Sequence, residues 1–326
     1  MKRLGWLYLC LFVAISGCET MPKKHILLAN SELTTIIVSG TNDTWESLAK
    51  DYYGDAKLGW YIADRNSLIT LSANQNITIP KLMPAHFGIF DDFEQTIPIL
   101  TYHNFGPKYS KTMIRSEDFE QQLKYLRDNY YRVISVDTLS KHMQEGLPIP
   151  RRAVVITIDD GFRSTYNIAF PLLKKYNMPA TVFVYSDFIN NGGLKKKQLV
   201  EMQESGLIDI HSHSKTHRNF NRLNKNESLE EFYAHLKMEV YEPKDKLSRI
   251  LSPQREHYFA YPYGEVNPRV IEHLSQTNHK LGLTVSSASV SSYSSPFTLS
   301  RYQVFGNRDL QSFINIIERN RSELAP

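Results

Sequence analysis

From Ile97 onward the chain alternates short apolar strands with amphipathic helices, and this alternation predicts an α/β fold. Two further observations support it. Val154 to Thr157 is an unbroken run of apolar or β-branched residues, the mark of a strand buried on both faces. Three clusters of polar and aromatic residues each begin where a predicted strand ends. That carboxyl edge is where parallel α/β folds gather their working side chains.

Ile97 to Tyr102 is predicted as the first strand of this region. Ser116 caps a predicted helix with Phe119, Leu123, Leu126 and Tyr130 on one face. Glu117 and Asp118 fall in its first turn, where the helix dipole favours negative charge. A strand over Val133 to Val136 and a helix from about Asp137 follow. Next are expected a strand over Ala153 to Ile158, a helix over Ser164 to Tyr176 and a strand over Ala180 to Tyr185. A helix near Gln198 leads into a strand over Leu207 to Ile210. A polar helical stretch after Ser228 precedes a strand over Tyr258 to Tyr261, and a helix near Arg269 precedes one over Leu281 to Val285. The Ser-rich stretch 286–295 is expected to be a loop. Units of this kind close a parallel barrel or wind an open sheet.

The chain has 326 residues, enough for one large domain and a small one. The net charge is +4, and no basic block stands out beyond Lys195 to Lys197, so nucleic acid is not an expected partner. Lys2 and Arg3 precede an apolar run from Leu4 to Ile15 and then Ser16-Gly17-Cys18, the layout of a secretory signal. The run is short for a transmembrane helix. The other cysteine, Cys10, lies inside the segment that would be removed, so the mature chain is expected to hold no disulfide. The ending Ile15-Ser16-Gly17-Cys18 resembles the lipobox of bacterial lipoproteins. That resemblance implies an exported chain cleaved after residue 17 and anchored to a membrane through lipid on Cys18. Glu19, in place of a retention aspartate, implies the periplasmic face of the outer membrane.

The expected organisation is a signal segment 1–17, a tether 18–33, a small module 34–81, a connector 82–96 and a large domain 97–326. In the small module a β-branched strand, Thr35 to Val38, precedes a turn and a helix capped by Thr44 that carries Trp45, Leu48, Ala49 and Tyr52. A second apolar set at Trp60 to Ala63 and a closing strand over Asn76 to Pro80 complete a βααβ order. With Asp43-Thr44, Tyr53-Gly54-Asp55 and Ile77-Thr78-Ile79-Pro80, this order resembles a LysM domain. LysM modules bind N-acetylglucosamine-containing glycans. The usual Gly-Asp-Thr start is opened here into Gly40-Thr41-Asn42-Asp43-Thr44.

The chemistry centres on Asp159-Asp160-Gly161, directly after the buried strand. Two adjacent buried carboxylates repel, and one would be driven toward protonation unless a cation lies between them. With a cation present, one carboxylate can ligate it while the other accepts a proton. An Asp-Gly hairpin would need a second strand at once, but a helix-like run starts at Ser164. The second cluster is His211-Ser212-His213-Ser214-Lys215-Thr216-His217. On one helical turn His213 and His217 would face the same way and could share a metal, with Asp160 completing the set. Ser214 stands where a zincin protease would carry its glutamate base. The third cluster, Phe259-Ala260-Tyr261-Pro262-Tyr263-Gly264, offers an aromatic wall for a sugar ring.

In this order and spacing, the three clusters resemble the polysaccharide deacetylase family, also called the NodB homology or carbohydrate esterase 4 family. The resemblance implies a deformed TIM-like (β/α)₇ barrel that hydrolyses N-acetyl groups on a glycan. It implies Asp159 as general base, Asp160, His213 and His217 as ligands of a divalent metal, usually Zn2+, and the Tyr263 backbone N–H as a donor to the oxyanion. Two positions depart from the fullest family pattern. Ala260 replaces an arginine that orients the base, and no late Leu-x-x-His motif follows. Arg301 is a candidate substitute for that arginine, and His103, Tyr261 and Pro262 are candidate pocket residues. The Tyr102-His103 pair and the Ala-Tyr-Pro-Tyr-Gly variant resemble the subgroup related to biofilm poly-N-acetylglucosamine deacetylases. The expected substrate is therefore poly-N-acetylglucosamine or peptidoglycan. A non-catalytic glycan-binding lipoprotein and a polysaccharide O-acetyl esterase are the competing readings.

Overall fold

The structure is a computed structural model describing residues 25–66, 70–81, 96–147, 149–150, 152–252 and 256–318. The signal segment 1–17, Cys18 and residues 82–95 of the connector lie outside the described residues. Among the described residues no helix is long and apolar enough to cross a membrane. The chain divides into two compact units, 1–83 and 84–326.

The first unit contains β1 (Ile26–Asn30), β2 (Thr34–Val38), α1 (Trp45–Tyr53), α2 (Gly59–Arg65) and β3 (Asn76–Pro80). The strands form an antiparallel sheet in the order β1-β2-β3. Thr44 accepts from the Ser47 N–H while Ser47 accepts from the Thr44 N–H, a capping box that fixes the start of α1. Gly54, at φ 75°, ends the helix in the left-handed region that other residues avoid. Ile37, Trp45, Leu48, Ile62, Ile77 and Ile79 close the core between helices and sheet. One expectation is corrected here. Residues 26–30, placed in a tether, form a strand whose side chains are all exposed. Its order comes from backbone pairing with β2 rather than from burial.

The second unit begins with β4 (Ile99–Tyr102), β5 (Asn104–Gly106), β6 (Met113–Arg115), α3 (Ser116–Asp128), β7 (Arg132–Ile134) and α4 (Val136–Glu145). It continues through β8 (Ala153–Ile158), α5 (Phe170–Tyr176), β9 (Ala180–Val184), α6 (Lys196–Glu204) and β10 (Ile208–Ser212). The remainder is α7 (Leu229–Ile250), β11 (His257–Ala260), α8 (Pro268–Gln276), β12 (His279–Leu283), β13 (Tyr302–Gln303) and α9 (Leu310–Glu318). Eight strands form one sheet in the order β12-β11-β10-β9-β8-β4-β13, with β7 beside the first half of β8. Every pairing in it is parallel.

The sheet curls. Leu299 pairs with Leu283 at one end of the order, and Tyr302, three residues later, pairs with Leu100 near the other. The stretch from Leu299 to Gln303 thus bridges β12 and β4. The fold is an α/β half-barrel consistent with a deformed TIM-like form. Its two faces are read from the period of two along each strand. Ile99, Val155, Phe183, Tyr258, Leu281 and Leu283 fill the inside of the curl. Leu100, Val154, Ile156, Val182 and Ile210 face the helices. Burying both faces explains why Ala153 to Ile158 is apolar without alternation.

Candidate active site and metal centre

Parallel strands deliver their carboxyl ends to one rim, and period two decides which side chains enter it. On β8, Val155 and Thr157 share the inner face, and Asp159 continues the series one step past the strand. The backbone turns at once. Asp160 has φ 74° and Gly161 φ 79°, two consecutive left-handed residues. A side chain on Gly161 would start 2.7 Å from Val184 Cγ1, so glycine is required for closeness as well as for torsion.

Asp159 is buried and meets an equally buried guanidinium. Arg301 Nη1 donates to Asp159 Oδ1 at 2.8 Å and Nη2 to Oδ2 at 2.6 Å, a two-point fork. The same Nη1 donates to Thr157 Oγ1 at 3.0 Å, and Nε donates to the Thr284 carbonyl at 2.9 Å. Burial alone would raise the Asp159 pKa. Arg301 and then His213 outweigh it and hold the carboxylate below its usual range.

Asp160 Oδ1 lies 3.5 Å from His213 Nε2 and 3.3 Å from His217 Nε2. One ligand atom from each of these residues falls within 4.8 Å of the others. His213 Nδ1 lies 2.8 Å from the Ala260 carbonyl. A carbonyl can only accept, so Nδ1 carries the proton and Nε2 offers a lone pair toward Asp160. Burial works to raise the Asp160 pKa, but the two imidazoles prevail and keep it ionised. The His213 pKa moves up against its own burial because Asp159 and Asp160 attract positive charge. A divalent cation answers that same attraction. Asp160 Oδ1 is moreover buried without a hydrogen-bond partner among the described residues. Two neutral-capable imidazoles and one carboxylate form a zinc-type donor set that leaves positions open.

Two expectations change. His213 and His217 do not share a helical turn, because β10 runs on through Ser212 and a loop follows. The loop brings His217 back through left-handed residues at Ser214 (φ 74°) and at His217 itself (φ 63°). The Ser214 hydroxyl accepts from the His217 N–H at 2.9 Å. Tyr261 is also not a pocket wall. On β11, Tyr258 and Ala260 face inward, so Phe259 and Tyr261 face out, into a cluster with Phe220, Val270 and Leu274. The Tyr261 hydroxyl donates to the Phe297 carbonyl at 2.9 Å, and Pro262 is buried beside it. Tyr263 is exposed, with φ 59°, and its ring lies edge-on to His217 at 4.7 Å between centroids.

His103 continues the inner series Ile99, Thr101 on β4. Its Nδ1 is buried without a hydrogen-bond partner among the described residues. Burial lowers its pKa, although Asp159 and Asp160 lie close enough to act in the opposite sense. Tyr185 and Phe188, which the sequence reading passed over, stack at 4.8 Å and 9°, with Tyr185 5.4 Å from the His217 ring. The signal was present: Tyr185 follows directly on β9, at the same rim as the motifs.

Residues 147–282 match the family model described as polysaccharide deacetylase. Over 206 residues the chain is 29% identical to the poly-beta-1,6-N-acetyl-D-glucosamine N-deacetylase of Staphylococcus epidermidis, covering 61% of this chain and 70% of that protein. Among solved structures, IcaB from Ammonifex degensii is similar with a TM-score of 0.60 and 26% identity, covering 72% of this chain and 98% of that one. The Streptococcus pyogenes deacetylase PplD, solved in complex with acetate, shares the fold with a TM-score of 0.61 at 24% identity, covering 68% and 98%.

Proposed function

We propose that the chain, whose residues 147–282 match the polysaccharide deacetylase model, hydrolyses N-acetyl groups on an N-acetylglucosamine-containing polysaccharide at the bacterial cell envelope. Poly-N-acetylglucosamine is the first candidate glycan and peptidoglycan the second. One observation carries the reading: an arginine-paired carboxylate stands beside a three-residue cation site on one rim. Asp160, His213 and His217 would hold a divalent cation, most simply Zn2+, which when bound polarises an acetyl carbonyl and acidifies water.

The chain's own residues supply the rest. Asp159 takes the proton from the attacking water, and Arg301 fixes both its oxygens so that its aim does not drift. Arg301 thereby fills the place left by Ala260, entering from the segment that leads into β13. The Tyr263 backbone N–H would face the developing oxyanion. His103, within electrostatic reach of Asp159, Asp160 and His213, is the proposed proton donor to the leaving amine. Tyr185, Phe188 and Tyr263 offer flat apolar faces to a sugar ring.

The first unit is proposed as a LysM-like glycan-binding module, and lipid on Cys18 as the anchor to the outer membrane. The test is acetate release from poly-N-acetylglucosamine and from peptidoglycan by the full chain, with and without a chelator. Release that stops on chelation and returns with metal supports the reading. No acetate from either glycan by metal-loaded protein would overturn it.

A further inference from the structure

The buried stripe of α7 reads Phe232, Leu236, Glu239, Val240, Pro243 and Leu247. A carboxylate interrupts an otherwise apolar face. Glu239 is 3% exposed, and a carboxylate taken out of water needs donors around it. Among the described residues, those donors all come from the loop that carries His217. Oε2 receives the Lys215 N–H at 2.8 Å and the Thr216 N–H at 2.9 Å, and Oε1 receives the Thr216 hydroxyl. Hydrogen bonds from N–H to a carboxylate are of the stronger kind.

The two histidines of the proposed cation site are held differently. The His213 ring is fixed by its own hydrogen bond to the Ala260 carbonyl, and its side chain is 2% exposed. The His217 ring has no such bond to a carbonyl among the described residues, and its side chain is 22% exposed. Its place therefore depends on its backbone. That backbone is strained: Ser214 and His217 take left-handed torsions, which residues other than glycine keep only where their surroundings enforce them. Within the loop, the Ser214 hydroxyl accepts from the His217 N–H. From outside it, Glu239 grips the two residues directly before His217.

The other side of the loop is tied as well. The Ser214 and Lys215 carbonyls accept from the Ser186 and Asp187 N–H groups, each at 3.0 Å. Further along α7, Lys246 donates to the Ser186 carbonyl at 2.6 Å. α7 thus braces the ligand loop directly and the turn between Tyr185 and Phe188 beside it.

We propose, resting on the cation site of the deacetylase reading, that Glu239 is a positioning residue: by fixing the backbone of Lys215 and Thr216 it keeps the His217 imidazole facing Asp160 and His213.

Zinc affinity of the full chain, measured by competition with a chelating dye, tests this apart from catalysis. Glu239→Met should weaken zinc binding by about 10–100-fold, the usual effect of removing a group that holds a ligand in place. Glu239→Gln still offers one oxygen to both N–H groups and an amide N–H to the Thr216 hydroxyl, so it should recover most of the affinity. Glu239→Asp keeps the charge but falls short of the loop, and should lose about tenfold. Leu236→Ala, which loosens the packing of the same helix, should lower the melting temperature and leave zinc affinity unchanged. The contrast between Glu239→Gln and Glu239→Asp decides the matter if Glu239→Met does not fold. Wild-type zinc affinity in folded Glu239→Met or in Glu239→Asp, or equal weakening by Leu236→Ala, overturns the inference. Zinc binding by the wild type with no acetate release would overturn the deacetylase reading instead and leave Glu239 its role.

Discussion

Replacing Arg301 with methionine keeps comparable bulk and removes every polar contact the guanidinium makes. Four hydrogen bonds vanish: two to Asp159, one to Thr157 and one to the Thr284 carbonyl. Both ends of the ion pair are out of water, with side-chain exposures of 0% and 2%. Breaking a buried pair from one side typically costs about 3–5 kcal/mol, because the remaining charge is stranded. For a unit of this size each kcal/mol moves the melting temperature by about 2–4 °C, so a loss of about 10 °C is expected. Arg301 lowers the Asp159 pKa, so the wild-type pair contributes fully above the ordinary carboxylate pKa and loses its contribution as pH falls through the lower folded value. In Arg301→Met that folded pKa rises, so the stability deficit is greatest near neutral pH and shrinks toward acid. The acid limb of kcat/KM should move up in pH by the same shift. Arg301→Lys, which keeps charge without the fork, should recover part of the stability and less of the rate. Calorimetry and pH–rate profiles on metal-loaded protein check both. An unchanged melting temperature with an unchanged acid limb would refute the assigned pairing.

Asp159→Asn should lower kcat by about 10²–10⁴ while the protein still binds one equivalent of metal by elemental analysis, since the ligands are elsewhere. Gly161→Ala should destabilise the second unit, because it adds a side chain at φ 79° and 2.7 Å from Val184; a melting curve equal to wild type would contradict the close contact. Tyr261→Phe should cost about 1 kcal/mol of stability through the orphaned Phe297 carbonyl, with KM for glycan unchanged. A large rise in KM would return Tyr261 to the pocket.

The part of the site that lies in single runs is legible in the sequence. Asp159-Asp160-Gly161 announces itself because an apolar run ends on two carboxylates. What fails is the extension of a strand through polar residues. His211 and Ser212 interrupt the apolar pattern, yet Ser212 still pairs with Val184 because neighbouring backbones, not side chains, decide that bond. β1 is hidden for the converse reason: all five of its side chains are exposed, so it leaves no alternation to read. Tyr261 misleads because its position at a strand end says nothing about which face it takes, and only the register of β11 settles that. Arg301 carries no local pattern and lies 142 residues from its partner, so the sequence offers it only as a candidate, through the arginine missing at Ala260; the fork to Asp159 is what assigns it.

The segment that bridges β12 and β4 is the one that delivers Arg301. Leu299 and Tyr302 pair with opposite ends of the sheet, and the guanidinium hangs between them. Synthesis runs from the N-terminus, so the pieces of the rim are not made together. Asp159, Asp160, His213 and His217 emerge well before the residue that aligns the first of them. A growing chain can therefore bring Asp160, His213 and His217 together while Asp159 is still unaligned, and the proposed hydrolytic site is complete only when the last seam is laid.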